Sequence, residues 1–325
     1  MNQDYANVIR RTGRAVLNYG FYIVFVILVI SYFIISPRFL SLANISSILI
    51  QASPLLVLGT GLTIVILIGG IDLSVGSTAS LAAAVGAVMI NRGYNPVLAI
   101  MIMPLIGLVV GVVNGLIITR VGLNPLLTTL AMLFVLRGMS LHVMNGGNVP
   151  VISRLLDFFG TGYLGPIPVA IMIFLVFTIF AQIVIKRTSF GRHILAIGTN
   201  EVAARQAGIA VRRTKFITYV ICGFTAGFAG LIWASRFGSA NPNIGTGMEF
   251  IGVTIVVIGG TSLAGGEGSI IPGTLFGALL LLIIENGLNL AHADIYFYPL
   301  VRGLVLFLAV LIDSIKNTRT WSLTG

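Results

Sequence analysis

Charge is what this sequence has least of. Asp, Glu, Lys and Arg make up 9% of its 325 residues, against about 25% in soluble proteins. With 57% hydrophobic residues and a mean hydropathy of +1.05, the chain cannot cover a soluble globule with polar surface. It reads instead as a polytopic membrane protein of the all-α class. Cysteine is almost missing too: Cys222 is the single one, so no intramolecular disulfide can form. No Cys/His spacing suited to a metal is present. Lysine occurs only at Lys186, Lys215 and Lys316, and none of the three follows a glycine. A phosphate-binding loop of the GxxxxGK[ST] type needs such a lysine, so the chain holds no nucleotide motor of its own. His142, His193 and His292 fall at span ends or in loops. That placement argues against a proton relay, which needs titratable groups deep within spans. An intramembrane aspartyl protease is also excluded, because Asp72 has no second aspartate in a matching motif.

What is present is apolar length. A crossing takes about 20 apolar residues, and segmenting on that basis predicts about ten transmembrane helices, near 20–36, 47–69, 76–91, 96–119, 125–143, 165–185, 215–235, 249–264, 270–290 and 296–314 of a single transmembrane domain, 1–325. The first 18 residues carry Arg10, Arg11 and Arg14, and no small-x-small cleavage site follows the first apolar run, which predicts an uncleaved first span. With a cytoplasmic N-terminus, thirteen basic residues fall on the inner side and four (Arg38, Arg92, Arg154 and Arg236) on the outer. This bias predicts both termini in the cytoplasm. It also disposes of the nucleic-acid reading of the +10 net charge, since the charge is spread over several loop ends.

The 39 glycines include small-residue ladders, Gly107-x-x-x-Gly111-x-x-x-Gly115 and Gly223-x-x-x-Gly227, which let helix backbones approach closely. One internal echo stands out. Gly61-Leu-Thr-Ile-Val-Ile-Leu-Ile-Gly-Gly70 matches Gly252-Val-Thr-Ile-Val-Val-Ile-Gly-Gly260, and each leads into a Gly/Ser-rich break. The span count gives both copies the same direction, which does not match an inverted repeat.

The longest polar interruption is Lys186–Lys215, with seven of the 19 basic residues. Thr199 or Asn200 can cap a short helix, Glu201 sits in its first turn where the dipole favours an acid, and Arg205 follows four residues later. Gly208 supplies a left-handed stop. A two-turn helix over 200–207 is too short to stand alone in water, so it must dock on a partner or on its own bundle. Elsewhere Asp72 can cap its own break through the N–H groups of Ser74 and Val75. Glu285 and Arg302 can pair between the last two spans. Asn44, Gln51, Thr63, Ser74, Asn124, Thr128 and Asn286 are polar candidates for a translocation path, with Asp72 beside them. Trp233, Phe237, Tyr296 and Tyr298 fit interfacial belts. Two outer loops, 144–164 and 236–248, are long enough to dock a soluble protein.

The run Gly191-Arg192-x-x-x-Ala196-Ile197-Gly198-x-Asn200-x-x-Ala203-Ala204-x-x-x-Gly208-Ile209 resembles the cytoplasmic loop of the ribose-type permeases of ATP-binding-cassette importers. Elsewhere in the chain, Gly61-x-Thr63-x-Val65-Ile66, Gly70-Ile71-Asp72-Leu73-Ser74-Val75-Gly76-Ser77, Leu136-Arg137-Gly138 and Ser239-Ala240-x-Pro242-x-x-Gly245-Thr246-Gly247-x-Glu249 resemble other stretches of the same family. Gly259-Gly260-Thr261-Ser262-Leu263-Ala264-Gly265-Gly266-x-Gly268 and Asn286-Gly287-Leu288-Asn289-Leu290 complete the set, which covers about residues 20–316. The resemblance implies that Gly191–Ile209, Glu201 included, couples to a cytoplasmic ATPase subunit that carries ATP-Mg, with no cofactor in this chain. It further implies a substrate-binding protein on the periplasmic or extracellular side, a second permease copy or paralogue, and a place in the bacterial inner or plasma membrane. Simple sugars are the family's cargo. A gradient-driven sugar transporter and a branched-chain amino-acid permease are the alternatives.

Overall fold

The computed structural model describes residues 25–321; Arg10, Arg11, Arg14, the start of the first predicted span and the side of the N-terminus lie outside them. The described chain is helical nearly throughout. In order come α1 (Phe25–Ile35), α2 (Leu42–Leu67), α3 (Val75–Asn91), α4 (Pro96–Leu116), α5 (Pro125–Val143), α6 (Arg154–Gly160), α7 (Val169–Arg187), α8 (Ser189–Thr199) and α9 (Glu201–Gln206). Then follow α10 (Val211–Phe237), α11 (Met248–Ile258), α12 (Leu275–Leu290) and α13 (Phe297–Trp321). Among the described residues seven helices are long and apolar enough to cross a membrane. Four two-residue strands form two separate antiparallel pairs, β1 (Val149–Pro150) with β4 (Ser239–Ala240) and β2 (Tyr163–Leu164) with β3 (Ile167–Pro168). This is an all-α polytopic membrane protein.

Local chemistry sets the boundaries. Asn95 and Asn124 each accept the N–H two residues on, from Val97 and Leu126 at 2.9 Å, and each is followed by a proline in the first helical position. Such a proline has no N–H to leave unsatisfied. The side chain of Asn124 is therefore occupied as a helix cap. Where an apolar run continues but the helix does not, glycine is the cause. The 249–264 span expected from hydropathy is realised only as α11, which stops before Gly259 and the left-handed Gly260 (φ +86°). Its eleven residues rise about 16 Å, roughly half of a 30 Å hydrocarbon core.

The centre of the bundle is α2, entirely buried from Ala52 to Leu67, with α10 packed against it and against α3 and α4. The α4–α10 seam is made by the predicted glycine ladders. A Cβ on Gly223 would collide with the Gly107 carbonyl and come within 2.7 Å of the Gly111 Cα. Trp233 is buried in this core rather than in an interfacial belt, while Phe237 and Tyr296 are exposed. On the face away from α8 and α9 the two long loops join: β1 (Val149–Pro150) pairs antiparallel with β4 (Ser239–Ala240). The Ser235 hydroxyl adds a 2.6 Å bond to the Leu156 carbonyl of α6. Beyond β4 the chain dips inward, held by Arg137 of α5, which donates to the carbonyls of Pro242 and Ile244 at 3.3 and 2.8 Å.

Candidate functional site

The polar island is more helical than its sequence suggests. Helix α7 runs on to Arg187, α8 fills 189–199, and α10 begins at Val211. Thr188 caps α8 by accepting the Gly191 N–H at 3.3 Å. Phe190, Ile194 and Ile197 recur at helical spacing, and all three pack into a cluster with Ile64, Leu67, Ile185 and Ile270. That periodicity was available in the sequence and marks an amphipathic helix.

The next helix, α9, spans Glu201–Gln206, a residue shorter at each end than the predicted 200–207. Asn200, not Thr199, is its cap, accepting the Ala203 N–H at 3.0 Å, and Gly208 ends it at φ +82°. Glu201 makes the expected i,i+4 pair with Arg205 (2.9 Å) and also an unexpected one with Lys215 of α10 (2.6 Å). Both bonds favour the carboxylate, that from Lys215 most, and they hold Glu201 below the usual carboxylate range. A depressed folded pKa means that the contribution is full above the ordinary glutamate value of about 4.3 and is lost as pH falls through the depressed one. Because Glu201 is partly solvent-exposed, the effect is local. The Glu201→Gln chain should therefore show faster amide exchange in α9 than the parent at neutral pH, and the two should coincide in strong acid.

The two faces of α9 differ. Ala204 is buried against the apolar cluster, whereas Val202 is 67% exposed and Ala203 lies beside it in solvent. An exposed valine among charged residues makes a small apolar knob. Behind the knob, α8 ends against two helix breaks at once. A Cβ on Gly198 would strike the Leu67 carbonyl oxygen of α2 and the Gly266 N–H of the loop after α11. Those two groups are themselves bonded, Gly266 N–H to Leu67 O at 2.9 Å. The echoed segments Gly61–Gly70 and Gly252–Gly260 thus run to the same end of the bundle, where their breaks meet beneath α8. Higher up, Thr63 and Thr274 share a 2.7 Å hydroxyl contact.

The first break is anchored from inside. Asp72, 1% exposed, accepts the Ser74 N–H at 2.9 Å and the Ser74 hydroxyl at 2.6 Å. The second donor is thus the serine hydroxyl rather than the expected Val75 N–H. Asn114 of α4 donates to Ser74 at 2.9 Å, Thr129 of α5 accepts the Leu73 N–H at 3.1 Å, and Tyr219 of α10 donates to the Ile71 carbonyl at 3.3 Å. Asn286 exchanges two hydrogen bonds with Asn44, at 2.8 and 2.9 Å. The structure therefore brings Asp72 and Ser74 together and leaves Asn124 and Asn286 elsewhere, Asn124 capping α5 and Asn286 paired with Asn44. The Gly191–Ile209 residues fall on α8, α9 and the turn after α9.

Residues 44–310 match the protein family described as the branched-chain amino acid transport system / permease component. The chain belongs to this family. Among its relatives, the ribose import permease RbsC of Escherichia coli K12 is 39% identical over 87% of this permease and 89% of its own length. The same-named protein of Bacillus subtilis 168 is 40% identical over 90% and 91%, and the D-allose transport system permease AlsC of E. coli K12 is 34% identical over 91% of both. No solved structure matches.

Proposed function

We propose that this permease is the membrane-spanning subunit of an ATP-binding-cassette importer for a simple sugar, a ribose-like pentose or a close relative, in a bacterial cell membrane. The observation that carries the reading is the α8–α9 unit, seated by glycine contact on two helix breaks while it presents Val202 and Ala203 outward. A cytoplasmic ATPase subunit carrying ATP-Mg grips that knob, and its closure moves α8 and α9. The bundle then alternates between outward- and inward-facing forms. A substrate-binding protein delivers the sugar to the opposite face, on the cap built by β1, β4 and α6, and a second permease copy or paralogue completes the pathway. Ten passes with both termini cytoplasmic follow if α1, α3 and the half-length α11 are counted with the seven long helices. Asp72 and Ser74 serve by anchoring the first break. The names of the relatives favour sugar over a branched-chain amino acid.

The deciding experiment co-purifies the full chain with its ATPase subunit. Ala204 is the wrong residue to alter, since it is buried. Val202→Asp with Ala203→Arg alters only the exposed face and should cut the retained ATPase about tenfold or more, a loss typical of a central contact residue. Equal retention by parent and variant would refute the coupling role. Sugar uptake should also survive an uncoupler acutely and collapse on ATP depletion; the reverse would identify a gradient-driven carrier.

A further inference from the structure

The last two helices carry a polar column that the packing of a bundle does not require. At the ends of α12 and α13 remote from α8 and α9, an open cavity of about 460 Å³ is lined by Arg38, Asn289, His292 and Tyr298, with Ser36 among its walls. That volume lies within the usual small-molecule range of about 300–1,000 Å³. Residues four apart on a helix share a face. Glu285 therefore lies one turn below Asn289 on α12, and Arg302 one turn below Tyr298 on α13. These two deeper residues meet in a 2.6 Å ion pair that is only partly shielded. Charges within spans are costly and tend to mark substrate routes.

We infer that this cavity is an entry subsite for a neutral monosaccharide, lined by Ser36, Arg38, Asn289 and Tyr298, with the Glu285–Arg302 pair one helical turn deeper. The inference rests on the sugar-importer reading above. The chemistry fits a polyol: the Arg38 guanidinium donates, the Asn289 amide offers both donors and an acceptor, and the Ser36 and Tyr298 hydroxyls can each donate and accept. A hydroxylated ring can satisfy such groups in several orientations, as a cargo in passage must.

The test reconstitutes the full chain with its ATPase subunit and binding protein in vesicles, and measures D-ribose, D-allose or L-arabinose imported per ATP hydrolysed. Tyr298→Phe removes one hydroxyl and Asn289→Ala one amide, both at solvent-reached positions, and each should lower that ratio about fivefold or more, the usual value of one hydrogen bond being the lower bound. Ile295→Ala, exposed nearby but outside the cavity, should leave it unchanged. Parent-like ratios for Asn289→Ala and Tyr298→Phe, or an equal fall for Ile295→Ala, overturn the subsite. A parent complex whose ATPase subunit hydrolyses ATP without import of any of the three sugars overturns the sugar reading itself.

Discussion

Replacing Gly198 with alanine should lower sugar uptake by about tenfold or more, within the span of ordinary coupling free energies, while the ATPase subunit still binds. The reason is local and steric. The added methyl would lie against the Leu67 carbonyl and the Gly266 N–H, two backbone groups already bonded to one another. Backbone cannot swing aside as a side-chain tip can, so either that bond breaks or α8 lifts away, at a cost of about 1–3 kcal/mol. Helix α8 itself survives, because Ile194 and Ile197 remain buried on its inner face. The outer face of α9, with Val202 and Ala203, is likewise intact, so the partner can still grip. What fails is transmission: the gripped unit no longer bears on the ends of α2 and α11. Gly208→Ala is the informative contrast. It also places a Cβ on a glycine of this segment, at φ +82°, but nothing lies within 4 Å of it. Only the left-handed backbone is strained there, by about 1–2 kcal/mol, and uptake should fall far less. Measuring uptake and ATPase retention on the same preparations separates the two, and a Gly198→Ala chain with parent-like uptake would end the idea of a glycine joint.

The difference between those two glycines shows where sequence reading stops. Gly208 was legible because everything it does is local: a short helix capped at Asn200 needs a left-handed stop about two turns later. The Glu201–Arg205 pair and the ends of α5 were legible for the same reason, since each involves partners within about four positions, whereas Asn124, read as a path residue, turned out to cap α5. Gly198 stands in an equally readable motif, yet its partners, Leu67 and Gly266, come from segments far away along the chain. Lys215 reached Glu201 across a turn whose geometry no local pattern states. Hydropathy also overran at α11, where Ile, Val and Gly continue past the residue that bends the chain, and it misplaced Trp233, whose ring an apolar core accepts as readily as an interface does. The Glu285–Arg302 pair could be anticipated across adjacent spans, whereas the cavity above it could not, because its walls include Ser36 and Arg38 from the start of the chain.

Gly223 carries the same lesson into stability. Gly223→Leu should lower the apparent melting temperature of the solubilised chain by about 5 °C or more, from an overpacking cost of about 1–3 kcal/mol and a shift of about 2–4 °C per kcal/mol. The seam between α4 and α10 is closed backbone to backbone: Gly223 faces Gly107 and Gly111, and Gly227 faces Met103 and Gly107. In lipid there is no water to expel from such a seam, so close van der Waals approach is what holds the helices together. A side chain at Gly223 forces the two axes apart along the whole contact, and the buried faces of α2 and α3 that rest on α10 lose their neighbour as well. Gly138 on α5 is also a helical glycine between apolar residues, and by sequence the two look alike. A Cβ on Gly138 meets nothing within 4 Å, and leucine is a better helix former than glycine by about 0.5–1 kcal/mol. Gly138→Leu should therefore leave the melting temperature unchanged or raise it, unless that face of α5 is covered by a second copy of the chain. Thermal unfolding of both variants in detergent, with the oligomeric state recorded alongside, decides the matter: equal losses at the two positions would mean that the α4–α10 seam is not the contact that binds this bundle.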